Sequence, residues 1–72
     1  MDHKTRLQEV LQKSGDVTID YRLVNEEGPA HERIFTIDVY ADDRLIGSGQ
    51  GKSKKLAEQD AAEKALIKIA AN

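Results

Sequence analysis

Hydrophobic residues recur along this chain with two spacings, and the spacing predicts which segments form helices and which form strands. Residues 3–14 carry apolar side chains at i, i+3 and i+4, which is the pattern of a short amphipathic helix. These side chains are Leu7, Val10 and Leu11. Asp2 is the expected N-cap of this helix, and Gly15 is expected to end it.

Polar and apolar residues then alternate in two segments, which is the pattern of half-buried β-strands. The alternating apolar residues are Ile19, Tyr21 and Leu23 in the first segment, and Phe35, Ile37 and Val39 in the second. A polar loop is expected over residues 26–32, and a tight turn at Asp42-Asp43 leads into a third strand over residues 44–50. The three strands should form an antiparallel meander. Tyr21, Phe35 and Ile37 are expected in the core.

The third strand and the last segment have complementary surfaces. Gly47, Gly49 and Gly51 are two residues apart, so they share one bare face of a strand that another element can approach closely. The last segment is predicted to be a long helix whose apolar face is narrow and rich in alanine. This face consists of Ala57, Ala61, Ala62, Ala65, Leu66 and Ile69. Three polar residues are expected on the outer face of that helix, namely Glu58, Glu63 and Lys64.

These elements predict an α+β fold in the order α-β-β-β-α, with two helices packed on one face of a three-stranded antiparallel sheet. The length of 72 residues allows a single domain, which is expected to span residues 1–72. The chain has no cysteine, which excludes disulfides and thiolate metal sites. We expect no membrane span, because no apolar run approaches the length of about 20 residues that a span needs. The polar start of the chain matches no signal peptide.

The distribution of charge along the chain is more informative than the net charge. The 11 basic and 13 acidic side chains give −2, which by itself argues against nucleic-acid binding. However, residues 44–57 contain four basic residues and no acidic one, so the remainder of the chain carries −6. Lys52, Lys54 and Lys55 surround Ser53, the expected N-cap of the last helix. Cations are unfavourable at a helix N-terminus, so this cluster points to a bound phosphate.

These residues also allow other interpretations. The lysines could form an ordinary solvated cluster. A nucleotide P-loop needs glycine where this sequence has Ile46, so that motif is not met. His31 has only His3 as a histidine partner and is a poor metal ligand, and Glu26-Glu27 do not converge on a metal by themselves. Three aromatic residues do not form a stacking platform for single strands. We therefore expect no catalytic residue, no metal site and no cofactor in this domain.

Several ordered motifs resemble one known family. Residues 47–62 read GSGQGKSKKLAEQDAA, residues 4–9 read KTRLQE, and residues 28–31 read GPAH. Together they resemble the double-stranded RNA-binding domain over nearly the whole chain, and they are most similar to the C-terminal domain of bacterial ribonuclease III. The sequence departs from the family pattern at Leu56, where a polar residue is common, and in its acidic total charge.

The resemblance implies which residues contact RNA. The first helix would enter one minor groove, the loop before the second strand would enter the next, and the lysines would contact the phosphates between them. The implied RNA-binding residues are Thr5, Gln8, Glu9, Gln12, Pro29, Ala30, His31, Lys52, Ser53, Lys54 and Lys55. The glutamines could equally be ordinary exposed helix residues, and His31 could be a loop residue that bonds only the backbone.

The resemblance also implies a larger enzyme. Ribonuclease III cleaves double-stranded RNA with magnesium through a catalytic domain whose acidic signature this sequence lacks, so this domain should not cleave RNA alone. The implied parent is a cytoplasmic homodimer that dimerises through that other domain, whereas this domain is expected to be a monomer. The alternatives are a protein-interaction module with the same fold, an RNA-binding domain of another protein, and an autonomous enzyme.

Overall fold

Two helices lie on the same face of a three-stranded antiparallel sheet in the computed structural model, which describes residues 2–71. The elements, in chain order, are α1 (His3–Gln12), β1 (Ile19–Glu27), a short 3-10 turn (Ala30–Glu32), β2 (Ile34–Ala41), β3 (Arg44–Gly51) and α2 (Lys54–Ala71). The sheet order is β1-β2-β3, and both neighbouring pairs are antiparallel. The predicted α-β-β-β-α fold is confirmed.

Helix α1 begins as predicted but ends earlier. The Asp2 carboxylate accepts hydrogen bonds from the backbone N–H of Thr5, at 3.2 Å, and from its hydroxyl, at 2.7 Å. This is the geometry of an N-cap. The helix ends at Gln12 and not at residue 14, because Lys13 and Ser14 form a turn that leads to Gly15, whose φ is +121°.

The first hairpin is longer than its sequence suggested. Glu26 and Glu27 were expected in the loop, but they lie in β1 and pair with Phe35 and Ile34. Their carboxylates are tolerated there because β1 is an edge strand and these residues are exposed. The connection to β2 therefore starts only at Gly28, whose φ of +97° suits glycine.

The second hairpin turns at Asp42-Asp43, as predicted. Both residues have positive φ, 48° and 65°, which is the combination that a tight two-residue hairpin requires. Aspartate is one of the few residues other than glycine that tolerates this region, because its short side chain can bond locally. The Asp42 carboxylate also accepts a hydrogen bond from the backbone N–H of Thr18 at 3.0 Å, which ties the turn to the start of β1.

The centre of the domain is the contact between β3 and α2. A Cβ atom added at Gly47 would lie 2.7 Å from the carbonyl oxygen of Ala61, and one added at Gly51 would lie 2.6 Å from the backbone nitrogen of Ala57. Gly49 is buried between them against Ala61. The helix backbone therefore rests directly on the strand, and the predicted close contact of a bare face with a small face is confirmed.

The remaining core is small. The fully buried large side chains are Leu7 of α1 and Val39 of β2, which join the buried alanines of α2 in one cluster. Ile37 is buried, as expected. Tyr21 and Phe35 were also expected in the core, but both are only partly buried. Tyr21 packs against the cluster from outside.

We predict that Gly49→Ala destabilises the domain by about 1–3 kcal/mol, because the added methyl group would overlap the backbone of α2, which cannot rotate away as a side chain can. Urea unfolding followed by circular dichroism measures the change. Ser48→Ala on the opposite face of β3 is the control and should lie within about 0.5 kcal/mol of wild type. Equal stability of the Gly49 and Ser48 variants would contradict the close contact.

A second prediction concerns Asp60, whose carboxylate accepts hydrogen bonds from Lys64 Nζ at 2.7 Å and from the backbone N–H of Gln50 at 2.9 Å. The hydrogen bond from Lys64 is the largest cause that holds the pKa of Asp60 below its ordinary value, and the bond from Gln50 is the next largest. A lowered folded-state pKa stabilises the fold above the unfolded-state pKa of about 3.9, and this contribution is lost as pH falls through the folded-state value.

Asp60→Asn should therefore be less stable than wild type near neutral pH and approach it in acid. Urea midpoints measured at about pH 6 and about pH 2.5 should show this convergence. Lys64→Ala removes the largest cause of the shift, so it should weaken the pH dependence that Asp60 contributes. A stability difference between wild type and Asp60→Asn that is the same at both pH values would contradict the linkage.

Candidate nucleic-acid interface

The N-terminus of α2 presents three free ammonium groups. The Ser53 hydroxyl accepts a hydrogen bond from the backbone N–H of Leu56 at 3.1 Å, so Ser53 is the N-cap that the sequence predicted. Lys52, Lys54 and Lys55 are all exposed, and the first turn of α2 contains no acidic residue. The helix dipole and the lysines therefore add positive potential at the same place.

Several other cations of the domain are paired with carboxylates. Arg22 lies 3.0 Å from an Asp43 carboxylate oxygen, Arg33 lies 3.0 Å from Glu26, and Lys64 lies 2.7 Å from Asp60. Within residues 2–71, no ion pair involves Lys52, Lys54 or Lys55. Lys13, Arg44 and Lys68 also have no ion pair in this part of the chain, but they are separated in sequence. Lys52, Lys54 and Lys55 stand side by side at one end of the sheet, and we call them the lysine cluster.

Helix α1 contributes an exposed polar face. Thr5, Gln8 and Glu9 are exposed, with Thr5 bonded to Asp2 and Glu9 in a loose contact of 3.9 Å with Arg6. The amide of Gln8 therefore points to solvent at the middle of the helix. These positions agree with a surface that can contact a ligand through hydroxyl and amide groups.

Gln12 has an internal role that its sequence position did not indicate. Its Nε2 donates to the carbonyl of Val17 at 3.1 Å, and its Oε1 accepts from the backbone N–H of Val17 at 3.3 Å. The side chain thus imitates a peptide group and holds the segment after α1. The predicted ligand contact at Gln12 would compete with these two bonds, although the residue remains exposed.

The polar face of α1 and the start of α2 meet in one groove of about 520 Å³. Thr5, Gln8 and Gln12 line it from α1, and Lys55 and Gln59 line it from α2. The structure therefore brings residues of two separate predicted contact regions to a common surface. Lys52 and Lys54 lie outside this groove.

The connection between β1 and β2 leaves the sheet at the same end as the lysine cluster. Phe35 pairs with both Glu26 and Gly51, which places the start of β2 beside the end of β3. Pro29, Ala30 and His31 are all exposed on this connection. The Pro29 carbonyl accepts the backbone N–H of Glu32 at 2.9 Å, which leaves its second lone pair for a ligand.

The contact between the two helices was not predicted. Glu58 and Glu63, which were expected on the outer face of α2, point towards α1: Glu58 lies 2.5 Å from Lys4 Nζ, and Glu63 lies 3.6 Å from His3. Lys64 does lie on the exposed side. A second stripe on α2, beside the alanine stripe, could have revealed this face, because Glu58, Ala62 and Leu66 are spaced by four.

Lys4 also lies over the ring of Tyr21, with Nζ 4.7 Å from the ring centroid. Burial is the largest cause that raises the pKa of Tyr21, to about 12, and the negative charges of Glu58 and Asp2 add to it. The phenol is therefore neutral at physiological pH.

Across residues 2–71, no three His, Asp or Glu side chains come together in a way that could hold a metal ion. Neither α1 nor α2 is long and apolar enough to cross a membrane.

Comparison with known proteins identifies the family. The family model for the double-stranded RNA binding motif matches residues 3–69. Ribonuclease 3 of Enterococcus faecalis is 71% identical over 69 residues, and that of Streptococcus gordonii is 58% identical over 67 residues. The matches cover 96% and 93% of this chain, but only 30% and 29% of those relatives.

A solved structure agrees with this result. The solution structure of both double-stranded RNA-binding domains of DRB4 superimposes with a TM-score of 0.71 at 35% identity, over 97% of this chain and 45% of that one. The match by family model, the identity to the relatives and the shared fold all lead to one conclusion: this chain belongs to the family of double-stranded RNA-binding motifs.

Proposed function

We propose that this domain binds double-stranded RNA by the shape of its A-form helix and supplies substrate binding to an enzyme of the ribonuclease III type. The observation that carries the proposal is the lysine cluster, three exposed ammonium groups without an ion-pair partner in the described part of the chain, at a capped helix N-terminus. The phosphate backbone of RNA would supply the negative charge that no carboxylate of the described residues supplies to these lysines.

The A-form duplex explains why a second surface is needed. Its major groove is too deep and narrow for side chains to read, whereas its shallow minor groove displays 2′-hydroxyl groups. Side chains that donate and accept hydrogen bonds suit this groove, and the exposed face of α1 carries such groups. Minor-groove contacts are assigned to Thr5, Gln8, Glu9 and Gln12 on α1, and to Pro29, Ala30 and His31 on the β1–β2 connection.

The lysine cluster and Ser53 are assigned to the phosphates that line the major groove between the two minor-groove contacts. This arrangement separates the two tasks of the interface. The lysines supply affinity without regard to sequence, and the polar contacts to 2′-hydroxyls discriminate RNA from DNA. The three adjacent unpaired lysines favour a polyanionic ligand over a role in protein binding alone.

The wider role rests on the relatives. They are named Ribonuclease 3, and the chain spans about 30% of their length. We propose that the activity of such a longer protein is magnesium-dependent cleavage of double-stranded RNA in the cytoplasm, by a homodimer assembled through a separate catalytic domain. In that arrangement the present domain needs no cofactor, acts as a monomeric unit, and raises the local concentration of substrate at the catalytic domain.

We predict that Lys54→Ala and Lys55→Ala each weaken binding to every duplex and lower the slope of log K against log salt by about 1. The reason is that each lost phosphate contact releases one counterion fewer. Fluorescence anisotropy at several salt concentrations with a duplex of about 20 base pairs measures the slope. Lys68→Ala, an exposed lysine in the last turn of α2, is the control and should keep the wild-type slope. Unchanged slopes in all three variants would exclude the phosphate site.

A further prediction concerns the choice between RNA and DNA. The wild-type domain should bind an RNA duplex more tightly than a DNA duplex of the same sequence, because only RNA offers 2′-hydroxyls and the A-form minor groove. Gln8→Ala should reduce the RNA affinity and the RNA-to-DNA ratio without changing the salt slope. Gln50→Ala, on the outer face of the sheet, is the matched control. Equal affinity of the wild type for both duplexes would overturn the minor-groove assignment.

A further inference from the structure

Gln59 occupies the junction between the two helices that carry the proposed RNA contacts. Its Oε1 accepts hydrogen bonds from the backbone N–H groups of His3, at 2.8 Å, and Lys4, at 3.4 Å. Its Nε2 donates to an oxygen of the Asp2 carboxylate at 2.9 Å. The side chain therefore contacts three consecutive residues of the α1 N-terminus, more than 50 residues away in the chain.

These bonds satisfy groups that a helix cannot satisfy by itself. The first backbone N–H groups of an α-helix have no partner within the helix, and those of His3 and Lys4 find theirs in Gln59. Asp2 is at the same time the N-cap of α1 through Thr5. The Gln59 bond is the largest cause that lowers the pKa of Asp2, followed by the bonds from Thr5. The cap of α1 and its attachment to α2 thus share one carboxylate.

The apolar attachment of α1 is slight. The helix has 10 residues; among those described, Leu7 is its only fully buried residue, and Leu11 packs against the core while only partly buried. A helix of this length is marginal by itself in water. Its tilt relative to α2 therefore depends strongly on the polar contacts at its N-terminus, where Gln59 makes three bonds and the Lys4–Glu58 pair makes one.

The location of Gln59 connects this attachment to the interface. Gln59 lies one helical turn after Lys55, and both residues line the same groove as Thr5 and Gln8. The amide thus lies between the polar face of α1 and the positive N-terminus of α2. A change in the Gln59 contacts would move Thr5 and Gln8 relative to Lys55 without altering any of the three.

We infer that Gln59 is a positioning residue: through Asp2, His3 and Lys4, it sets the distance between the minor-groove face of α1 and the phosphate-binding end of α2. This inference rests on the proposed function, because it concerns the match between two contact regions and a duplex of fixed dimensions. A-form geometry fixes the spacing of grooves and phosphates, so a displaced α1 would lose hydrogen bonds while the lysines keep their phosphates.

The first experiment compares Gln59→Ala with wild type on RNA and DNA duplexes of about 20 base pairs. We expect a loss of RNA affinity of about tenfold, equivalent to about 1.4 kcal/mol, a lower RNA-to-DNA ratio and an unchanged salt slope. Ile69→Val, a mild change in the partly buried side chain farther along α2, controls for a general loss of stability and should keep the RNA-to-DNA ratio.

The second experiment uses charge to test the Asp2 contact directly. Gln59→Glu places a second carboxylate beside Asp2, so it should weaken RNA binding. Asp2→Asn should bind nearly as wild type, because asparagine also caps helices well. The double variant Asp2→Asn/Gln59→Glu removes the repulsion and should recover a large part of the affinity lost in Gln59→Glu. If Gln59 served stability alone, Gln59→Ala and Gln59→Glu would lower the affinity for RNA and DNA equally, and the RNA-to-DNA ratio would stay at the wild-type value.

The outcomes separate the two proposals. If wild type discriminates RNA from DNA but Gln59→Ala keeps the RNA affinity and the ratio, the positioning role is wrong and the proposed function stands. If Gln59→Ala lowers the salt slope, the residue acts on the lysine cluster and not on α1, which also overturns the inference. If wild type shows no preference for RNA, the minor-groove assignment fails, and the positioning role fails with it.

Discussion

The glycine face of β3 against the alanine face of α2 is the contact on which the rest of the domain depends. Because Gly47, Gly49 and Gly51 have no side chains, the backbone of α2 lies close to β3 from Gly47 to Gly51. This contact determines where α2 begins, which is at the end of β3. The lysine cluster therefore stands at the edge of the sheet beside the β1–β2 connection, and its position follows from backbone packing rather than from any contact of the lysines themselves.

Helix α1 is attached by a different kind of interaction. The fully buried Leu7 and the partly buried Leu11 join it to the core, and hydrogen bonds to Gln59 of α2 hold its N-terminus. Apolar contacts are tolerant of small displacements, whereas hydrogen bonds have narrow ranges of distance and angle. The domain thus combines a closely packed pair, β3 and α2, with a helix whose N-terminus is held by a few polar atoms. The proposed interface uses both parts at once.

The fold could be predicted from the sequence wherever a single local rule applied. The glycine spacing of β3, the alanine spacing of α2, the Asp42-Asp43 turn and the caps Asp2 and Ser53 each follow from steric or capping preferences. Rules of this kind missed contacts made across the fold. Glu58 and Glu63 were expected in solvent because they are charged and lie beside the apolar face of α2, whereas they face Lys4 and His3 of α1. The hydrogen bonds of Gln12 were not predicted, because its partner Val17 lies in the irregular segment after the helix.

The pairing of Arg22, Arg33 and Lys64 with carboxylates affects how the domain approaches a polyanion. Those pairs neutralise part of the positive charge outside the lysine cluster, and the chain outside residues 44–57 carries a net charge of −6, so the charge distribution is strongly uneven. Such a distribution exerts a torque on an approaching polyanion before contact. Repulsion between the polyanion and the acidic side chains disfavours orientations in which the lysine cluster points away. Encounters are thereby biased towards one approach, so the rate of productive association can be high even though the total charge of the chain is negative.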